Sequence, residues 1–161
     1  MKRLLILRHA KAKTGDPGAD WLRPLAKRGE RDAEEVGRRL FRAHGRPEAI
    51  VSSDAVRARQ TAVIVAEAAG IAEEAVDLDD RVYLADLEDL VPVVRGLPDA
   101  ADIVLLVGHN PGLEELAAHL AGIDADEVVI PTAGLVRLDC DVDHWTQLRQ
   151  GCAEFTGVEE P

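Results

Sequence analysis

Leu4-Leu5-Ile6-Leu7-Arg8-His9-Ala10-Lys11 is the stretch on which the reading of the whole chain turns. Four consecutive apolar residues run directly into Arg-His. A short apolar run of this kind predicts a strand buried on both faces. In an open α/β sheet ligands bind beyond the carboxyl ends of the strands, where Arg8 and His9 would fall. A guanidinium is a planar donor fork suited to phosphate oxygens. An imidazole serves as a nucleophile or proton carrier near neutral pH. By itself an Arg-His pair is more often structural or a surface feature, so its meaning depends on the rest of the chain.

Outward from this stretch, strands and helices alternate. Ala49-Ile50-Val51-Ser52 predicts a second strand, with Ser53-Asp54 as a cap for the helix that carries Ala58, Thr61, Ala62, Val65 and Ala68. Arg57 lies in that helix's first turn, where the helix dipole disfavours a cation unless an anion is near. Asp102-Ile103-Val104-Leu105-Leu106-Val107 is the strongest strand signal, and it runs into Gly108-His109-Asn110-Pro111-Gly112. Here Asn110 reads as a helix cap and Pro111 as the first helical residue. A helix is predicted from Glu30 and a short one around Leu87–Val94, with Pro92 tolerable only in its first turn. Val76-Asp77-Leu78 predicts an edge strand, and residues 127–131 and 134–139 complete the set. The alternation implies a three-layer α/β sandwich, with a mostly parallel central sheet flanked by helices and no large cap insertion. One domain over 1–152 is expected, followed by a frayed tail over 153–161.

Composition narrows the classes. The chain has 161 residues, 47% apolar and 30% charged, with a net charge of −11. That size supports one well-filled core, and that charge argues against general binding to nucleic acid or anionic membranes. A local basic pocket still binds phosphate, because pocket charge acts at short range. Cys140 and Cys152 show neither metal-type spacing nor a disulfide framework. The apolar run after Met1-Lys2-Arg3 is too short for a signal peptide, and no stretch is long enough to span a membrane. A cytoplasmic protein is the expectation.

Arg8, His9, Arg57 and His109 therefore each stand at a strand end or at the helix start that follows one. If they meet, they form a cationic clamp around an imidazole nucleophile, the arrangement that phosphoryl transfer needs. Nearby Arg charge should keep His9 neutral. Such a clamp requires no metal and no cofactor. His44, His119 and His144 read as turn or surface residues.

Leu-Arg-His near the start, Ser-Ser-x-x-x-Arg-Ala-x-Gln-Thr-Ala over 52–62 and Val-Gly-His-Asn-Pro-Gly over 107–112 resemble the histidine phosphatase superfamily, whose fold is phosphoglycerate-mutase-like. Within it the chain most resembles the short SixA-type phosphohistidine phosphatases. Arg23-Pro24-Leu25 with Gly29, and Pro131-Thr132-Ala133 with Trp145, fit that group. The resemblance implies His9 as the phosphorylated nucleophile and Arg8 and Arg57 as phosphate ligands. It implies His109 as a phosphate ligand or proton carrier, and Arg23 as an accessory substrate-binding residue. It departs from the superfamily pattern at Ala10, where Gly is usual, and at Asp54, where Pro is frequent.

The acid that larger members carry has no counterpart: the region reads Arg81-Val82-Tyr83-Leu84, and Asn110 stands where phytase-like members carry Asp. Asp16, Asp54, Asp86 and Glu88 remain as possible stand-ins. An alkoxide leaving group needs a proton, whereas the imidazole of phosphohistidine departs with little help. Only 47 residues separate His9 from Arg57 and 51 separate Arg57 from His109, leaving no room for a large roof. The expected activity is metal-independent hydrolysis of phosphohistidine on a protein of the histidine-phosphotransfer type, by way of a phosphorylated His9. A phosphatase for small phosphomonoesters and a non-catalytic phosphate-binding module are the alternatives.

Overall fold

Strand β1 (Lys2–Arg8) lies inside a six-stranded sheet in a computed structural model that describes residues 1–15 and 17–161. The other strands are β2 (Ala49–Ser52), β3 (Val76–Leu78), β4 (Ile103–Gly108), β5 (Leu135–Cys140) and β6 (Ala153–Glu159). Their order across the sheet is β3-β2-β4-β1-β5-β6. The pairs β3–β2, β2–β4 and β4–β1 are parallel, while β1–β5 and β5–β6 are antiparallel. Helices α1 (Lys27–His44), α2 (Val56–Ala68), α3 (Leu87–Arg95) and α4 (Gly112–Ala121) cover the faces.

Alternation along the buried strands divides the core in two. Leu5, Leu7, Leu105 and Val107 pack with Ala33, Val36 and Leu40 of α1 and with Ala58, Ala62 and Val65 of α2. Leu4, Ile6, Val104 and Leu106 pack with Leu90 and Val94 of α3 and Leu113, Leu116 and Leu120 of α4. Truncating any of these fully buried leucines to Ala costs about 2–5 kcal/mol. The register Arg8↔Gly108 brings the ends of β1 and β4 level, so the residues after them emerge side by side. No helix among the described residues is long and apolar enough to cross a membrane.

Several expectations from sequence are corrected. The tail expected over 153–161 is instead β6, paired to β5 with Leu138 opposite Phe155 and Cys140 opposite Ala153. Residues 127–131 are not a strand: Glu127 ends a 3-10 turn, and side chains take the backbone groups of Ile130 that a neighbouring strand would use. Ile130 N donates to Glu114, and Ile130 O accepts from Arg8 and Asn110. Asn110 is therefore not a helix cap, and α4 starts at Gly112 rather than at Pro111. Ser53 Oγ accepts from Ala55 N, just ahead of α2, and Asp54 gives no cap. Helix α1 begins at Lys27, three residues ahead of Glu30. Pro92 lies past the first turn of α3, at an exposed position.

Candidate active site

The ends of β1 and β4 deliver the two histidines. His9 N donates to Gly108 O at 3.0 Å, and the His9 and His109 ring centroids stand 5.1 Å apart. Both rings are buried. The Ala10 carbonyl, 2.8 Å from His9 Nδ1, takes a proton from that nitrogen. The neutral ring therefore keeps its lone pair on Nε2. Burial pulls the His9 pKa down to about 4, and the charges of Arg57, Arg8 and Arg23 pull the same way. Arginine charge was the cause expected from sequence; desolvation is the larger one.

His109 has the opposite tautomer. Its Nε2 lies 2.8 Å from Ser53 Oγ, and its Nδ1 faces Arg57 Nη2 at 3.4 Å. Guanidinium nitrogens only donate, so Nδ1 is the acceptor and Nε2–H donates to Ser53. Burial lowers the His109 pKa to about 3, helped by His9 and Arg57.

Arg57 is buried in the first turn of α2, and its anion is Asp20. Nη1 donates to the Asp20 carbonyl at 2.7 Å and Nη2 to the Asp20 carboxylate at 3.0 Å. The same carboxylate accepts from Tyr83 Oη at 2.7 Å and from Arg23 Nε at 3.0 Å. The Tyr83 hydrogen bond, then those of Arg23 and Arg57, hold the Asp20 carboxyl down at about 2. Tyr83 stacks edge-on to His109 at 5.5 Å, and burial raises its phenol pKa. Arg8 Nη1 donates to Ile130 O at 3.1 Å, and burial lowers its pKa. The Nε atoms of Arg8 and Arg57 are both buried without a partner. Two orphaned donors close to two neutral imidazoles suit the oxygens of an anion.

The residues around the arginine of α2 hold this assembly together. Thr61 Oγ1 accepts from Ala10 N at 3.0 Å and donates to Arg57 O at 2.7 Å, tying the loop after β1 to the turn that carries the guanidinium. Gln60 Oε1 accepts from Leu25 N at 2.8 Å. Two close approaches complete the frame. A Cβ at Gly29 would meet the Lys11 carbonyl oxygen at 2.1 Å, and one at Gly112 would meet that of Ala85 at 2.0 Å. Only Gly fits at either position.

The structure thus gathers Arg8, His9, Arg57 and His109, with Arg23 joined to them through Asp20. It does not bring in the other acids considered. Asp54 accepts from Trp21 Nε1 at an exposed position, Asp86 caps α3, and Glu88 lies exposed in the first turn of α3. Asp16 lies outside the described residues. Asp20 and Tyr83 were missed from sequence: Asp20 stands in a Gly/Pro-rich loop, and Tyr83 was read only as the lack of an acid. The misplaced positive charge of Arg57 was the one signal that called for a carboxylate.

The profile of the histidine phosphatase superfamily, branch 1, matches residues 4–83. An uncharacterized protein of Mycobacterium tuberculosis is 31% identical over 167 residues, covering 96% of this chain and 99% of its own. The chain belongs to the histidine phosphatase superfamily and is SixA-like within it, with the phosphoglycerate-mutase-like fold. A protein of Nakamurella multipartitia assigned as phosphohistidine phosphatase SixA superposes with a TM-score of 0.82 at 29% identity, covering 99% of this chain and 96% of that one. A mycobacterial glucosyl-3-phosphoglycerate phosphatase shares the fold, with a TM-score of 0.72 at 19% identity over 98% of each chain.

Proposed function

We propose that this phosphatase is metal-independent and hydrolyses phosphohistidine on a protein of the histidine-phosphotransfer type. His9 Nε2 attacks phosphorus in line with the departing imidazole. The phosphorus–nitrogen bond of the substrate breaks with the other ring nitrogen already protonated by solvent, so the imidazole leaves neutral. Water then hydrolyses the phosphorylated His9, releasing inorganic phosphate. Arg8 and Arg57 neutralise the oxygens of the group in transfer. Incoming phosphoryl charge favours a proton on His109 Nδ1, turning it from acceptor into donor. The proposed setting is a cytoplasmic phosphorelay.

One observation carries the choice of substrate. Among the described residues, the carboxylate hydrogen-bonded to the arginine clamp is that of Asp20, and it is held ionised with a pKa of about 2. It has no proton to give to an alkoxide, whereas imidazole is a leaving group that needs little help. The test compares turnover of phosphohistidine, free and on a phosphotransfer domain, with turnover of sugar phosphates and nucleotides, all in EDTA. The expected result is preference for phosphohistidine, a phosphoryl group trapped on His9 by acid quench, and no turnover by His9→Ala. Activity that needs an added divalent ion, or a preference for alkyl phosphates, refutes the proposal.

The second reading, a phosphatase of small phosphomonoesters, is favoured by one group: the Tyr83 hydroxyl, a proton-bearing group on the ring that stacks against His109. If Tyr83 protonates an alkoxide, Tyr83→Phe lowers kcat on alkyl phosphates far more than on phosphohistidine.

A further inference from the structure

Apolar side chains that a folded protein would normally hide stand close in sequence to the groups of this site. Trp21 is 41% exposed, Leu22 60%, Leu84 59% and Val129 71%. Each lies within two residues of a group that touches the site. Trp21 and Leu22 follow Asp20, Leu84 follows Tyr83, and Val129 precedes Ile130, whose carbonyl holds Arg8. Among the described residues only three other large apolar side chains, Met1, Phe41 and Leu78, are exposed. Scattered exposed leucines need no explanation, but a concentration beside one functional site marks a contact surface.

Leu84 adds a second observation. Its φ is +48°, in the left-handed region that disfavours L side chains. The turn itself has a reason, since it leads Ala85 into its close approach to Gly112. Gly or Asn would make that turn with less strain, on the order of 1 kcal/mol. A strained leucine that stays mostly in water gains little from folding, so its side chain is explained by something it meets later.

Charge says what that is. Residues 1–28 hold eight Lys and Arg against two acids, a balance of +6 in a chain of −11, which leaves −17 on the remainder. Lys11 and Lys13 are exposed on the loop that follows His9, and Lys27 is exposed at the start of α1. Directly after Leu84 and Ala85, Asp86, Glu88 and Asp89 stand exposed at the start of α3. The surroundings of the site therefore combine exposed apolar side chains with a cationic loop after His9 and an acidic helix start after Leu84.

We infer that Trp21, Leu22, Leu84 and Val129 form a docking surface for a folded protein. The partner bears its phosphohistidine among apolar side chains, with acidic residues on the side that faces Lys11 and Lys13. This rests on the phosphohistidine reading above and names how such a substrate is held. Apolar contact supplies affinity, and the charged segments set the orientation of approach.

The test uses two variants of the full chain, each assayed on free phosphohistidine and on a histidine-phosphotransfer domain phosphorylated on histidine. Leu22→Gln with Leu84→Asn removes two rim side chains, and Asn suits the left-handed backbone, so the fold is retained. Lys11→Glu with Lys13→Glu reverses the charge of the cationic loop. Expected is a rise in KM on the phosphodomain of about tenfold or more in each variant, with kcat unchanged. Rates on free phosphohistidine should stay within about twofold. The charge variant should also lose the salt dependence of the wild-type KM.

Unchanged KM on the phosphodomain, with wild type active on it, overturns the docking inference alone. Equal losses on both substrates also overturn it, since the rim would then support the site itself. A wild-type dimer that the apolar variant dissolves makes a second copy the occupant, and membrane-vesicle binding lost in the charge variant makes it a lipid surface; each overturns it. A wild-type enzyme that turns over alkyl phosphates and no phosphohistidine overturns the proposed function, and the docking inference with it.

Discussion

Asp20→Asn removes the one charge that the arginine clamp holds when empty. The carboxyl is depressed from its ordinary 3.8 to about 2. At 1.36 kcal/mol per pH unit, that fall corresponds to roughly 2.5 kcal/mol. The side chain is 32% exposed, so solvent screening reduces the contribution to about 1–2 kcal/mol. For a carboxyl whose folded pKa is lowered, the stability is present above its unfolded value and is lost as pH falls through the folded one. The variant should thus melt about 2–8 °C below wild type at pH 7. The gap should shrink below pH 4 and close near pH 2. The clamp, relieved of a resident negative charge, should bind inorganic phosphate more tightly, by about tenfold or 1.4 kcal/mol. Thermal unfolding between pH 2 and 7, with and without phosphate, reads both effects. Equal stability at pH 7, or weaker phosphate binding in the variant, refutes the reasoning.

Other perturbations follow from the same geometry. His9 and His109 have folded pKa values of about 4 and about 3 against an ordinary 6.5. Between pH 6.5 and 4 the unfolded chain takes up protons that the native site refuses, so urea midpoints should fall across that window. The fall should flatten in His9→Asn and His109→Asn, and a wild-type midpoint constant from pH 7 to 5 contradicts it. Thr61→Val leaves the Ala10 N–H and the Arg57 carbonyl without their bridge, which should cost about 1–3 kcal/mol in chemical denaturation and lower kcat on every substrate. Burial pushes the Cys140 thiol up to about 12, so it should resist alkylation at pH 8 until the protein is unfolded.

The parts of the fold legible from sequence were those dictated by local pattern. β1 and β4 are continuous apolar runs because both of their faces are buried, and the groups after them stand in register because the strands are parallel neighbours. The placement of His9 and His109 was legible for the same reason, since each follows directly on such a strand, while Arg8 ends β1 and Arg57 lies in the first turn of α2. What was not legible depended on distant partners. Val128-Val129-Ile130 has the composition of a strand, but Glu114, Arg8 and Asn110 claim the backbone of Ile130. Asp20 reaches Arg57 across 37 positions of sequence, with no periodicity to announce it. The alternation in Glu154-Phe155-Thr156 is too short and too mildly apolar to separate an edge strand from a tail.

That last strand bears on where the chain tolerates cutting. β5 hydrogen-bonds to β6 on the side away from β1. Glu159 also reaches the buried ring of His44, and the Glu160 carbonyl accepts from Arg39 of α1. A truncation after Cys152 would strip this cover and turn β5, with buried Leu135, Val136, Leu138 and Cys140, into an open template for pairing with another molecule. Natural edges resist such pairing through irregularity and charge, and β6 has both: a register shift opposite Val136–Leu138, Gly157 at φ +126°, and glutamates at 154 and 159. The final segment thus acts as a guard against self-association, and shortened versions of this protein are expected to precipitate at concentrations where the full chain stays dispersed.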